Sequence, residues 1–171
     1  MKKTFILSLV FIFGMALVSC KPEKKEWNIF YGYTPGDIVG EYGFSGASDA
    51  FSGIMESEDG ILCEDAVVSV TSPSEQTVYF SVNCPDHSFQ KSFLGRPSLN
   101  ANPFNILMEG NWSQLKHYSL TSEVLKNEQG NIRLVGFVNE DHYERVYNLE
   151  TQAYDTVYDH SVKRYFDVIN N

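Results

Sequence analysis

Asp141-His142-Tyr143-Glu144-Arg145-Val146-Tyr147-Asn148, then Leu149-Glu150-Thr151-Gln152, then Ala153-Tyr154-Asp155-Thr156-Val157-Tyr158-Asp159-His160, reads as two strands joined by a turn. Tyrosines recur at even spacing in both arms, and residues two apart share one face of a pleated strand. Antiparallel partners have indices of constant sum. A sum of 301 sets Tyr143 opposite Tyr158 and Tyr147 opposite Tyr154. Aromatic cross-strand pairs contribute about 0.2–1 kcal/mol each. That register also opposes Asp141 to His160 and His142 to Asp159. A slip to 302 breaks the tyrosine pairs and sets His142 against His160, a two-histidine metal cradle with carboxylates nearby. Tyrosine packing favours 301, with the histidines solvated or salt-bridged and no metal expected.

The same period-two alternation runs from Asp37 onward, interrupted by Gly, Pro, Asn, Asp or Ser. Regular turn signals between short alternating runs indicate an antiparallel sandwich or barrel. Candidate strands are 38–45, 50–57, 65–71, 76–84, 88–94, 103–110, 116–125, 131–139, 143–149, 153–158 and 161–168, of which about eight to ten are expected to survive. The expectation is an all-β, single-domain antiparallel meander closing into a barrel, with a two-sheet β-sandwich as the alternative. Gln114–Lys126 is the one stretch that also fits a helical stripe. Tyr118, Leu120 and Val124 alternating with His117, Ser119, Thr121 and Glu123 favour a strand. Asn127-Glu128-Gln129-Gly130-Asn131 places Gly where a short hairpin loop needs positive φ. Arg96 to Pro103 reads as the longest loop.

Cys63 and Cys84 flank another hairpin, with 66–70 as one arm, 71–76 as the turn and 77–84 as the other arm. Their midpoint falls between Pro73 and Ser74, inside that turn, so a cross-strand disulfide is geometrically natural. Matching Val78, Phe80 and Val82 to Val70, Val68 and Ala66 is one residue out of register with the cysteines. A β-bulge near Glu64 or Asp65 would reconcile the two. The bond would close a 22-residue loop and contribute roughly 3 kcal/mol on the chain-entropy account.

At the start of the chain, Lys2 and Lys3 precede an apolar run from Phe5 to Val18, then Leu17-Val18-Ser19-Cys20. The run falls short of the ~20 residues that span a bilayer and reads as the core of an export signal. The tetrad resembles the lipobox of bacterial lipoproteins. The resemblance implies cleavage before Cys20, lipidation of Cys20, and a cell-envelope location held by acyl chains, of which two or more are needed for stable anchoring. The expected organisation is signal peptide 1–19, lipidated Cys and flexible tether 20–36, and an all-β domain 37–171. Lys21, rather than Asp, after the Cys implies the outer membrane, on its periplasmic face or at the cell surface. An exported domain also lies where disulfides persist.

Of 13 basic residues, Lys2 and Lys3 leave with the signal, so 11 remain against 22 acidic and the mature chain carries −11. That balance excludes nucleic acid, whose binding depends on Lys and Arg neutralising phosphates. No Gly-x-Ser-x-Gly elbow and no phosphate-cradling glycine loop is present, and no cofactor is implied. An enzyme is not expected; the remaining catalytic option is a hydrolase with paired carboxylates. Glu56-Ser57-Glu58-Asp59-Gly60 has calcium-like charge but no coordinating spacing, so a solvated turn is expected.

Gly40-Glu41-Tyr42 near the first strand resembles the Gly-x-Trp of lipocalins, and the domain is similar to a calycin barrel. The resemblance implies a non-catalytic barrel that holds a small apolar or glycan ligand, with Tyr143, Tyr147, Tyr154 and Tyr158 as contacts. The alternative is an interaction or accessory protein of an outer-membrane complex with no small-molecule site. Asp155-Thr156-Val157 also resembles a short O-glycosylation consensus of exported bacterial proteins.

Overall fold

The computed structural model describes residues 27–46, 60–96, 101, 103–111 and 115–170. The strands are β1 (Asn28–Ile29), β2 (Gly40–Phe44), β3 (Gly60–Leu62), β4 (Val67–Ser74), β5 (Thr77–Cys84), β6 (Phe89–Gly95), β7 (Phe104–Asn111), β8 (Lys116–Lys126), β9 (Ile132–Asn148) and β10 (Ala153–Ile169). Pairing runs β1-β8-β9-β10-β2-β4-β5-β6, with β7 also on β8 and β3 also on β10. The all-β expectation holds, and the described part of the 114–126 stretch contributes a strand, Lys116–Lys126. The candidate strand 50–57 lies outside the described residues.

Among the described residues the sheet is not closed, since no ladder joins β6 to β7. It folds over on itself instead. Gly40–Tyr42 of β2 pair with β4, whereas Gly43 and Phe44 pair with β10, so β2 passes from one half of the sheet to the other. The halves face each other: the Phe80 and Phe104 rings are 5.4 Å apart, and Gly95 lies against the Ile106 side chain. Alternate residues of β4, β5 and β8, among them Val68, Val70, Phe80, Val82, Leu120 and Val124, fill the space between. At Gly136 a Cβ would sit 2.1 Å from the Thr121 carbonyl oxygen and 3.0 Å from the Phe166 ring. Only glycine admits that approach.

Several boundaries differ from the local pattern. The segments 131–139 and 143–149 form one strand, as do 153–158 and 161–168. The ordered chain reaches back into the stretch expected to be tether: β1 pairs with the end of β8, and Tyr33 is fully buried against Phe30 and Phe104. β3 runs parallel to β10, a pairing with no local signature.

Cys63 and Cys84 are bonded, with Cα atoms 5.5 Å apart, but not across one hairpin. The β4–β5 ladder pairs Val70 with Phe80 and Val68 with Val82, two residues away from the expected match, because β4 runs on to Ser74 and only Glu75-Gln76 turns. Before β4 the chain turns at Glu64-Asp65, where Ala66 N–H donates to Cys63 O at 3.3 Å. Cys63 N–H donates to Tyr165 O on β10. The disulfide therefore ties the β10 side of the sheet to the end of β5.

Candidate functional site

β8 accompanies β9 as far as the Lys116–His142 pair, and the described part of β3 joins β10 from Lys163. Beyond those pairs, residues 143–158 continue as an arm of β9 and β10 with no other described strand alongside. The arm carries its own fastenings at the turn. Asn148 Oδ1 accepts from the N–H groups of Glu150 and Thr151, and its Nδ2 donates to Asp155 at 2.7 Å. Gln152 takes the positive φ of 53° that closes the turn.

One face of the arm holds Tyr143, Arg145 and Tyr147 opposite Tyr158, Thr156 and Tyr154. Tyr143 meets Tyr158 edge-on at 5.9 Å, and Tyr147 meets Tyr154 at 5.2 Å. His117 extends the row, its ring 6.2 Å from Tyr143. Tyr154 remains 68% exposed, Tyr158 53% and Tyr147 48%, while Val146, Val157 and Leu149 are exposed on the other face and at the tip. The four tyrosines named as ligand contacts are thus brought together. They stand on an exposed arm and do not line a barrel interior. Thr156 of the Asp155-Thr156-Val157 triplet is exposed among them.

At the root both expected registers occur in succession. The tyrosine pairs keep the 301 register, β10 bulges between Tyr158 and His160, and His142 then stands opposite His160 in the 302 register. Asp159 is the extra residue. The imidazoles stack 4.3 Å apart and 14° from parallel. Imidazole lone pairs lie in the ring plane, so rings stacked this way do not aim two nitrogens at one metal ion. Each ring has its own carboxylate: His160 Nδ1 lies 2.8 Å from Asp159, and His142 Nε2 lies 3.0 Å from Glu140. Among the described residues no group of three or more His, Cys, Asp or Glu is placed to hold a metal.

Glu140 anchors the root. Its buried carboxylate accepts from Lys116 Nζ at 2.6 Å and Arg164 Nη1 at 2.8 Å. Burial pushes its pKa up, but the Lys116 hydrogen bond and the charges of Lys116, Arg164 and His142 outweigh that and hold it below the ordinary value. Lys116 is raised in turn, first by its hydrogen bond to Glu140. On the opposite face Tyr158 and Ser161 share a 2.8 Å hydrogen bond, and Ser161 and Asn139 both donate to Asp141.

Elsewhere, Asp86 N–H donates to Asp65 Oδ2 at 3.2 Å. Desolvation first, then the Asp65 charge, raises the Asp86 pKa. Asp86 is exposed and Asp65 half-buried, and both are close in sequence to the bonded cysteines. An open groove of about 570 Å³, lined by Thr34, Gly36, Ser72, Ser74 and Glu75, shares no residue with the arm. Cys20 and residues 56–59 of the acidic run lie outside the described residues. The alternation and the tyrosine pairs signalled the arm. The Glu140 cluster had no local signal, because its cations come from β8 and the far part of β10. No family model, curated protein or solved structure matches this chain.

Proposed function

We propose that the chain is a non-catalytic lipoprotein, held in the cell envelope by acyl chains on Cys20, that docks on a protein partner through its tyrosine arm. The carrying observation is the exposure of Tyr147, Tyr154 and Tyr158 on an arm that extends beyond β8. Interface cores are rich in tyrosine, which offers a large rigid contact at small entropic cost. Unprotected strand edges are otherwise a hazard that soluble proteins remove. The lipobox tetrad supports the tethering, and the net charge leaves the acyl chains as the membrane contact.

A photo-reactive residue placed at Tyr154 or at Leu94, which is equally exposed but remote, tests this in intact cells. A discrete adduct from position 154 with none from position 94 is the expected result. Equal labelling from both sites, or none from either, counts against docking by the arm. Radiolabelled palmitate incorporated by the wild type and not by Cys20→Ser tests the anchor.

The small-ligand reading keeps one specific support. Arg145 and Thr156 lie between the two tyrosine pairs, so the face offers aromatic rings and hydrogen-bonding groups together, as sugar recognition requires. A thermal-shift screen over glycans and lipids distinguishes it: stabilisation abolished by Tyr154→Ser favours a ligand platform, and no shift for any compound removes it.

A further inference from the structure

Resting on the reading of an acyl-anchored docking protein, we infer that the arm points away from the anchoring membrane, so that its partner is a protein whose docking surface stands clear of that bilayer. The chain leaves the sheet at one end of β9, and the arm leaves it at the other. β1 runs antiparallel to β8 and pairs Asn28 with Lys126 and Ile29 with Leu125. Followed toward the N-terminus, it therefore runs off the end of β8, beside the Asn127–Asn131 turn. Trp27 marks the exit, with the Arg133 guanidinium carbon 5.6 Å from its ring centre. Lys126 stands opposite Ile132, the first residue of β9. From Ile132 that strand continues for 17 residues to Asn148 at the turn of the arm, roughly 50 Å at about 3.3 Å per residue.

The tether is too short to undo this separation. Cys20 and Trp27 are seven residues apart and span at most ~25 Å when fully extended. The body of the sheet, from the Lys126–Ile132 pair to the Lys116–His142 pair, measures about 33 Å along β8. Even turned back along β8, the tether leaves Cys20 short of the root of the arm. The arm meets the bilayer only if the whole domain lies on its side, and charge opposes that. Residues 143–159 hold Glu144, Glu150, Asp155 and Asp159 against Arg145, a net −3, which anionic headgroups repel. Residues 21–26 hold Lys21, Lys24 and Lys25 against Glu23 and Glu26, a net +1, which the same headgroups attract. The exit end thus faces the bilayer, and the tyrosines are presented beyond the height of the body.

The test uses the full acylated chain in vesicles of phosphatidylethanolamine and phosphatidylglycerol that carry an energy-transfer acceptor on their headgroups. A donor dye is attached at Glu128→Cys, in the exposed turn beside the exit, or at Leu149→Cys, at the tip of the arm and 83% exposed. Donor emission is expected to be quenched at position 128 and to escape quenching at position 149. Removing the anchor by Cys20→Ser is expected to abolish the quenching at 128. Quenching as strong at 149 as at 128, quenching at neither, or quenching undiminished by Cys20→Ser overturns the inference. In cells, the adduct from position 154 is expected to map to a part of the partner outside the bilayer, and mapping to a membrane-embedded segment overturns it as well. If position 149 is quenched while the adduct still forms, the orientation fails and docking by the arm stands. If the adduct is missing while quenching follows the expected pattern, docking fails and the orientation alone stands.

Discussion

His142 and His160 stack 4.3 Å apart because β10 holds one residue more than β9 at the root of the arm, so that Asp159 is extruded between the Tyr143–Tyr158 pair and the histidine pair. The bulge lets two side-chain sets that demand different registers each obtain its own. It also separates the arm from the body, where Glu140 gathers Lys116, Arg164 and His142.

Glu140→Gln is expected to destabilise the protein by roughly 2 kcal/mol in urea unfolding at neutral pH. That is below the usual loss from breaking a buried pair, because Lys116 is 35% exposed and solvent screens it. A carboxylate whose folded pKa is lowered stabilises above its unfolded value and loses that contribution as pH falls through the folded one. Wild-type stability should therefore decline below the ordinary carboxylate range, and the variant should decline less. Parallel pH profiles for the two proteins would contradict the assignment.

The strands, the Asn127–Asn131 turn and the tyrosine pairs were legible because period-two alternation and turn chemistry are local. The registers at Asp159 were legible only as alternatives, since adjacent residues favoured different ones and a bulge satisfies both. Cys63 shows the limit from the other side. Its pairing with Cys84 could be read from spacing, but its strand could not, because the turn at Glu64-Asp65 hands it to β10 through a contact with Tyr165 about a hundred residues away. β1 escaped for the same reason: Asn28 and Ile29 are a strand only because β8 lies beside them.

Arg133 and Asp167 form a two-pronged ion pair at 2.7 and 2.5 Å, with Asp167 fully buried and Arg133 nearly so. Removing Asp167 takes away the carboxylate that bonds both Arg133 Nε and Nη2. Asp167→Ala is expected to cost about 3–5 kcal/mol in chemical denaturation, and a loss under 1 kcal/mol would show that water reaches the pair.

Gly136→Ala places a methyl against the Thr121 carbonyl, where backbone cannot yield as a flexible side chain can. Overpacking of this kind costs about 1–3 kcal/mol. The midpoint in urea should fall accordingly, whereas Gly43→Ala, with nothing within 4 Å, lacks that steric penalty.

Replacing Cys63 and Cys84 together by Ala is expected to cost roughly 3 kcal/mol. Hydrogen exchange should speed up first at β3 and at the Cys63–Tyr165 contact, which the bond holds to β5. Faster exchange confined to the β4–β5 turn would instead indicate a bridge acting within one hairpin.

Native electrophoresis of detergent-solubilised membranes, comparing the wild type with a Tyr147→Ser/Tyr154→Ser/Tyr158→Ser variant, tests most directly whether the tyrosine arm is the docking surface. The wild type should migrate in a complex larger than one chain, and the variant as a single chain with unchanged acyl labelling. Identical migration of the two would contradict it.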